Sequence, residues 1–163
     1  MTKALIPGTY DPVTLGHIDV IKRSAQIFNE IVVGVAASPK KGAGPMFTLD
    51  ERVAFLKDAL REQDNCKVLP FTSLLVDFAT EVGATVIVKG LRVVTDFESE
   101  FQQAALNYQL NPNLETLFVM ANPENMYLSS SMVKEVASMR GDTSDWVTPL
   151  VQQALNQRLF GLS

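Results

Sequence analysis

Two kinds of block alternate along this chain: short continuous apolar runs, and longer stretches with apolar residues three or four positions apart. Lys3-Ala4-Leu5-Ile6 is the first short run, and Ile31 through Ala37 is a second, unbroken by charge. An apolar run of that kind suits a strand covered on both faces. Thr85-Val86-Ile87-Val88 and Glu115 through Met120 repeat it, and Lys67 through Phe71 is a weaker version ended by Pro70. Between these runs the spacing becomes helical. Ile18, Ile21, Ala25 and Phe28 share one face, as do Leu49, Val53, Leu56 and Leu60. Leu74, Leu75, Phe78, Ala79 and Val82 predict a helix that stops at Gly83. Phe97, Phe101, Ala104 and Tyr108 predict another, and Val133, Val136 and Ala137 predict one that runs to Gly141.

The starts of several helices are also written locally. Thr48-Leu49-Asp50-Glu51 and Thr95-Asp96-Phe97-Glu98 read as capping boxes, in which a threonine and an acidic residue satisfy backbone N–H groups reciprocally. Thr148 with Pro149 marks the start of a last helix. No repeat, linker or low-complexity tract interrupts residues 1–163, so one domain is expected. Strand–helix alternation implies right-handed crossovers, hence an α/β fold with a parallel five-stranded sheet and helices on both faces. Ligands of such sheets sit beyond the C-terminal strand ends, at the switch in strand order. The loops that carry candidate chemistry all follow strands, so they should gather at that one edge.

Composition narrows the picture slightly. A formal net charge of −4 argues against a broad electrostatic grip on nucleic acid. One cysteine, Cys66, excludes an intramolecular disulfide and fits a reducing compartment. No leader-like or membrane-spanning run is visible, so a cytoplasmic protein without membrane contact is expected.

The candidate chemistry lies in four loops. Pro7-Gly8-Thr9-Tyr10-Asp11-Pro12-Val13-Thr14-Leu15-Gly16-His17 links the first strand to the first helix. It delivers a histidine near a helix N-terminus, where backbone N–H groups and the helix dipole favour a phosphate. The second loop carries Lys40 and Lys41, the third is Lys89-Gly90-Leu91-Arg92, and the fourth holds Ser129-Ser130-Ser131. Each has an ordinary structural use: solvated lysines, an ion pair of Arg92 with Asp96 or Glu98, a serine helix cap. Together they supply hydroxyls, cations and helix N-termini suited to holding two anionic partners in line. Neither a Gly-x-Gly-x-x-Gly nor a P-loop pattern is present, and the sole histidine leaves no metal cage.

Pro7 through Pro12 followed by Thr14-x-Gly16-His17 resembles the T/H-x-G-H signature of Rossmann-like nucleotidyltransferases. The closer resemblance is to the bacterial phosphopantetheine adenylyltransferases. It is carried also by Pro45 through Leu49, Gly90-Leu91-Arg92, Asp96-Phe97-Glu98-Ser99-Glu100, and Ser129 through Glu135. The resemblance implies transfer of AMP from ATP to 4′-phosphopantetheine, giving dephospho-coenzyme A and pyrophosphate, with Mg²⁺ bound mainly through the ATP phosphates. By the same resemblance His17 is the catalytic group, and Thr9, Lys41, Leu75 and Lys89 bind 4′-phosphopantetheine. ATP falls to Thr9, Tyr10 and His17, to Gly90, Leu91, Arg92 and Glu100, and to the stretch Asn125, Met126, Tyr127, Leu128, Ser129, Ser130 and Ser131. A homohexamer is implied as well. Lys89 stands where the family usually has arginine, which keeps the charge and loses the planar fork. The length of the Lys40–Gly44 loop leaves Lys40 and Lys41 as alternatives for one phosphate contact. Two other functions fit the residues: a pyridine-mononucleotide adenylyltransferase, and an ATP-binding module without catalysis.

Overall fold

The computed structural model describes residues 2–37 and 44–162 of the chain. Five strands form one sheet: β1 (Lys3–Gly8), β2 (Glu30–Ala36), β3 (Cys66–Phe71), β4 (Val86–Leu91) and β5 (Glu115–Met120). Six α-helices alternate with them or follow them: α1 (Leu15–Ala25), α2 (Leu49–Ala59), α3 (Leu75–Glu81), α4 (Val94–Leu110), α5 (Ser130–Ser138) and α6 (Pro149–Phe160). The strand order is β3-β2-β1-β4-β5, and every pairing is parallel. The order therefore reverses between β1 and β4, which opens a crevice at their C-terminal ends.

Strand periodicity divides the core between the two faces. Ala4 and Ile6 of β1 point to one side, with Ile31, Val33, Val35, Val68 and Val88, and meet Ile21 of α1, Leu56 of α2, Val133 of α5 and Leu155 of α6. Leu5, Val32 and Ile87 point to the other, against Val76, Phe78 and Ala79 of α3. A one-residue slip in any of these strands would exchange the two sets, so burial on both faces fixes the register.

Local signals located most boundaries. Thr48 caps α2 in the expected box, with its hydroxyl accepting from Glu51 N–H and Glu51 accepting from Thr48 N–H. Thr148 caps α6, Pro149 occupies its first turn, and Gly83 after α3 has a positive φ of 71°. Three boundaries differ from the sequence reading. Strand β4 continues through Lys89 and Gly90, because the ladder to Phe118 and Val119 of β5 supplies partners that outweigh glycine's weak strand preference. Helix α4 begins at Val94 with Val93 at the cap position, so Thr95 lies inside the helix and the box expected there does not open it. Pro70 sits within β3 beside Val35; β3 is an edge strand, where a missing N–H costs no ladder bond on the open side.

Candidate active site

The turn after β1 explains why the histidine is where it is. Thr14 and His17 form a capping box in which an imidazole takes the place usually held by glutamate. The His17 backbone N–H donates to Thr14 Oγ1 at 3.4 Å, and Thr14 N–H donates to His17 Nδ1 at 3.0 Å. The Thr14 hydroxyl lies 2.9 Å from the same Nδ1. Since Nδ1 accepts from a backbone donor, the proton of the neutral ring resides on Nε2. The Thr-x-x-His spacing thus starts the helix, chooses the tautomer and fixes the ring.

Tyr10 braces that ring from the side. Its own ring is buried and meets the imidazole edge-on at 5.2 Å between centroids, while its hydroxyl donates to Ile6 C=O at 3.0 Å. Burial drives the phenol well above its ordinary pKa, so it stays protonated. The Tyr10 backbone has φ 52°, a left-handed conformation held by these contacts. Gly8 leaves room for the ring: a Cβ there would come within 2.8 Å of Tyr10 Cζ.

A cavity of about 650 Å³ opens at the C-terminal edge, at the crevice between β1 and β4. His17, Thr9 and Gly16 line one side, Lys89, Gly90 and Arg92 another. Lys89 Nζ lies 3.2 Å from Glu100 Oε2 and 3.5 Å from Gln103 Oε1, both on α4. Arg92 Nη1 donates to Leu128 C=O at 3.0 Å, tying the end of β4 to the chain just before α5. The three serines divide their work. Ser129 Oγ caps α5 by accepting from Met132 N–H at 3.1 Å, and Ser130 Oγ donates to Pro12 C=O at 2.8 Å. Ser131, exposed on the cavity wall, is the hydroxyl best placed for a ligand.

Electrostatics make His17 a neutral donor. Burial, seconded by the nearby Arg92 charge, lowers its pKa from 6.5 to about 4. At neutral pH the ring offers an Nε2 N–H and no charge. Between these two values the unfolded chain takes up a proton that the folded protein refuses. The stability contributed by neutral His17 is therefore complete above pH 6.5 and declines as pH falls toward 4. The chain has one histidine, so ring ¹⁵N and ¹H resonances report on it without assignment. They are expected to hold steady from about pH 8 to pH 5, with the Nε2–H tautomer throughout and a midpoint near 4. A midpoint above 6 would contradict an imidazole held neutral by its surroundings.

A family model described as cytidylyltransferase-like matches residues 5–136. A phosphopantetheine adenylyltransferase of Alkaliphilus metalliredigens is 48% identical over 158 residues, covering 97% of this chain and 99% of that one. Enzymes of the same name from Heliobacterium modesticaldum and Methylobacillus flagellatus are 50% and 47% identical, across 93% and 96% of this chain and 89% and 97% of theirs. The chain belongs to the phosphopantetheine adenylyltransferase family. Among solved structures, one from Vibrio parahaemolyticus assigned as a nicotinate-nucleotide adenylyltransferase superposes with a TM-score of 0.69. It shares 18% identity over 95% of this chain and 99% of that one, and speaks for the fold alone.

Thr9, Tyr10, His17, Leu75, Lys89 and Gly90 all reach the cavity wall, and so do Arg92, Glu100, Asn125, Leu128 and the serine trio. Leu91, Met126 and Tyr127 do not line it; Tyr127 is half exposed and meets Trp146 edge-on. Lys41, with its neighbour Lys40, lies outside the described residues. Tyr10 turns its ring inward, which leaves its backbone as the part open to a ligand.

Three charged residues behind the cavity were not singled out from the sequence. Asp11 accepts from Met46 N–H at 2.8 Å, Phe47 N–H at 2.9 Å and Lys134 Nζ at 2.9 Å. Burial raises the Asp11 pKa, yet the bonds from Lys134, Phe47 and Met46 outweigh it and hold the carboxyl below its ordinary value. Arg52, 1% exposed, donates to three backbone carbonyls. One signal existed: Arg52 falls on the stripe of Leu49, Val53 and Leu56, where a charge has no business unless it is held.

Proposed function

We propose that the protein transfers the adenylyl group of ATP to the phosphate of 4′-phosphopantetheine, producing dephospho-coenzyme A and pyrophosphate. The observation that carries this reading is a neutral imidazole, its Nδ1 engaged by Thr14, on the wall of a cavity that also holds Lys89 and Arg92. An acceptor phosphate oxygen attacks the α-phosphorus, the bond to the bridging oxygen breaks, and pyrophosphate leaves with the added charge. His17 Nε2–H donates to the phosphate oxygens as that charge develops. Arg92 and Lys89 neutralise the like charges that would otherwise keep the two substrates apart. Lys89 must exchange Glu100 for a substrate phosphate to do so.

Among the described residues Glu100 is the one carboxylate on the cavity wall, and it is paired with Lys89. That donor set cannot cage a divalent ion, so Mg²⁺ enters bound to the triphosphate. We assign the protein to the cytoplasm; among the described residues no helix is long and apolar enough to cross a membrane.

A homohexamer is part of the same reading. Support comes from α4 and β5, where Phe101, Leu106, Tyr108, Leu110 and Met120 are more than half exposed. Apolar side chains grouped this way favour a protein partner over water. Light scattering is expected to give about six chain masses; a monomer at micromolar concentration would remove this part of the proposal.

The deciding experiment measures pyrophosphate release with ATP and each acceptor separately. Turnover is expected with 4′-phosphopantetheine and not with nicotinate or nicotinamide mononucleotide. Turnover confined to a pyridine nucleotide would replace the reading. Tight ATP binding with no acceptor-dependent pyrophosphate would make the protein a binding module.

A further inference from the structure

Arg52 has the burial of a core leucine and the charge of a surface residue. Isolating a guanidinium from water is costly, and apolar residues of similar volume commonly serve stability as well or better. Its bonds indicate another use. Nε donates to Phe47 C=O at 3.1 Å, while Nη1 donates to Thr9 C=O at 2.7 Å and to Ala36 C=O at 2.8 Å. These carbonyls belong to three separate segments: the turn after β1, the end of β2, and the approach to α2. Thr9 and Ala36 are both on the cavity wall. Asp11 completes the clamp from the other side, since it takes the N–H of the same Phe47 whose C=O goes to Arg52.

We propose that Arg52 is a positioning residue, which acts through the Thr9 and Ala36 carbonyls to set the acceptor-phosphate side of the cavity. The proposal rests on the adenylyltransferase reading above and on the acceptor-binding role that the family resemblance implies for Thr9, which by the same resemblance also borders ATP. His17 is held separately, by Thr14, so the ATP phosphates keep their donor when Arg52 changes. The planar fork matters here: Nη1 serves Thr9 and Ala36 while Nε serves Phe47, whereas lysine has one nitrogen to place and methionine has no donor.

The test uses the full chain with Arg52→Lys and Arg52→Met, assayed with ATP and 4′-phosphopantetheine. Backbone hydrogen exchange is followed in parallel. The acceptor KM is expected to rise roughly ten- to a hundredfold, more in Arg52→Met than in Arg52→Lys. The ATP KM should rise several-fold less than the acceptor KM, since His17 and the Gly90–Arg92 turn do not depend on Arg52. Thr9→Ala added to Arg52→Met should raise the acceptor KM by far less than it does alone, since both act on one contact. Exchange should quicken in residues 7–11, 35–37 and 45–48 and nowhere else. A merely structural arginine would instead lower the melting temperature, loosen exchange evenly, and leave both KM values intact in the folded fraction; that outcome overturns the proposal. So does an equal rise of both KM values. Should Arg52→Met fail to fold, Arg52→Lys decides by the same criteria. If the parent protein does not use 4′-phosphopantetheine, the function reading fails, and the exchange pattern alone then supports or overturns the role of Arg52.

Discussion

His17→Ala is expected to lower kcat by roughly 10²–10³-fold while ATP affinity changes only a few-fold, the scale seen when one preorganised donor to a developing charge is removed. The argument starts from the tautomer. Thr14 N–H donates to Nδ1, and burial keeps the ring uncharged at neutral pH, so Nε2–H is a neutral donor. In the proposed complex, where Arg92 supplies charge to the ATP phosphates, a neutral donor adds little ground-state affinity. Its contribution grows as negative charge moves onto the departing pyrophosphate, so the loss appears in kcat. Misfolding is a poor alternative explanation, because losing half of a capping box costs only about 1 kcal/mol. Steady-state kinetics with ATP binding measured by calorimetry give the answer. Equal losses in affinity and rate would assign His17 to uniform binding.

Asp11→Ala is expected to be the most destabilising single substitution near the cavity, by about 3–5 kcal/mol. Its carboxylate satisfies two backbone N–H groups and the Lys134 ammonium, from segments that come together only in the folded chain. Truncation leaves a partly buried lysine and two donors without an acceptor, beside the buried Arg52 cation. For a chain of 163 residues a loss of that size lowers the melting temperature by about 10 °C. Asp11→Asn should fall between, since it keeps one acceptor oxygen and loses the charge. The pH dependence follows from the lowered pKa of Asp11. Its contribution is full above the unfolded value of 3.8 and is lost as pH falls through the lower folded value. Urea unfolding at neutral and acidic pH tests both points, and a melting temperature unchanged by Asp11→Ala would refute them.

What the sequence by itself determined is whatever neighbouring residues decide among themselves. The box at Thr48–Glu51 closes within one helical turn, and the Thr148-Pro149 start and the Gly83 stop are equally local. The Thr14–His17 box is as local, but an imidazole in glutamate's place kept it from being read in the sequence. Apolar runs at β1, β2 and β5 carry their own period, so five parallel strands and an edge gathering the polar loops were legible before any coordinates. The Thr95 box failed because α4 starts two residues earlier, with Val93 at the cap, and β4 ran long because β5 paired with it. Tertiary structure alone decided which groups face the cavity and which are spent holding it. All three serines line the cavity, yet Ser129 also caps α5 and Ser130 also holds Pro12, a distinction that adjacent identical residues cannot reveal. Lys134 meets Asp11 across 123 positions, and Arg52 reaches Thr9 across 43. No local pattern encodes such bonds, because loops of that length are closed by packing of the sheet and its helices. Only then does a charge on an apolar stripe find the carbonyls that make its burial tolerable.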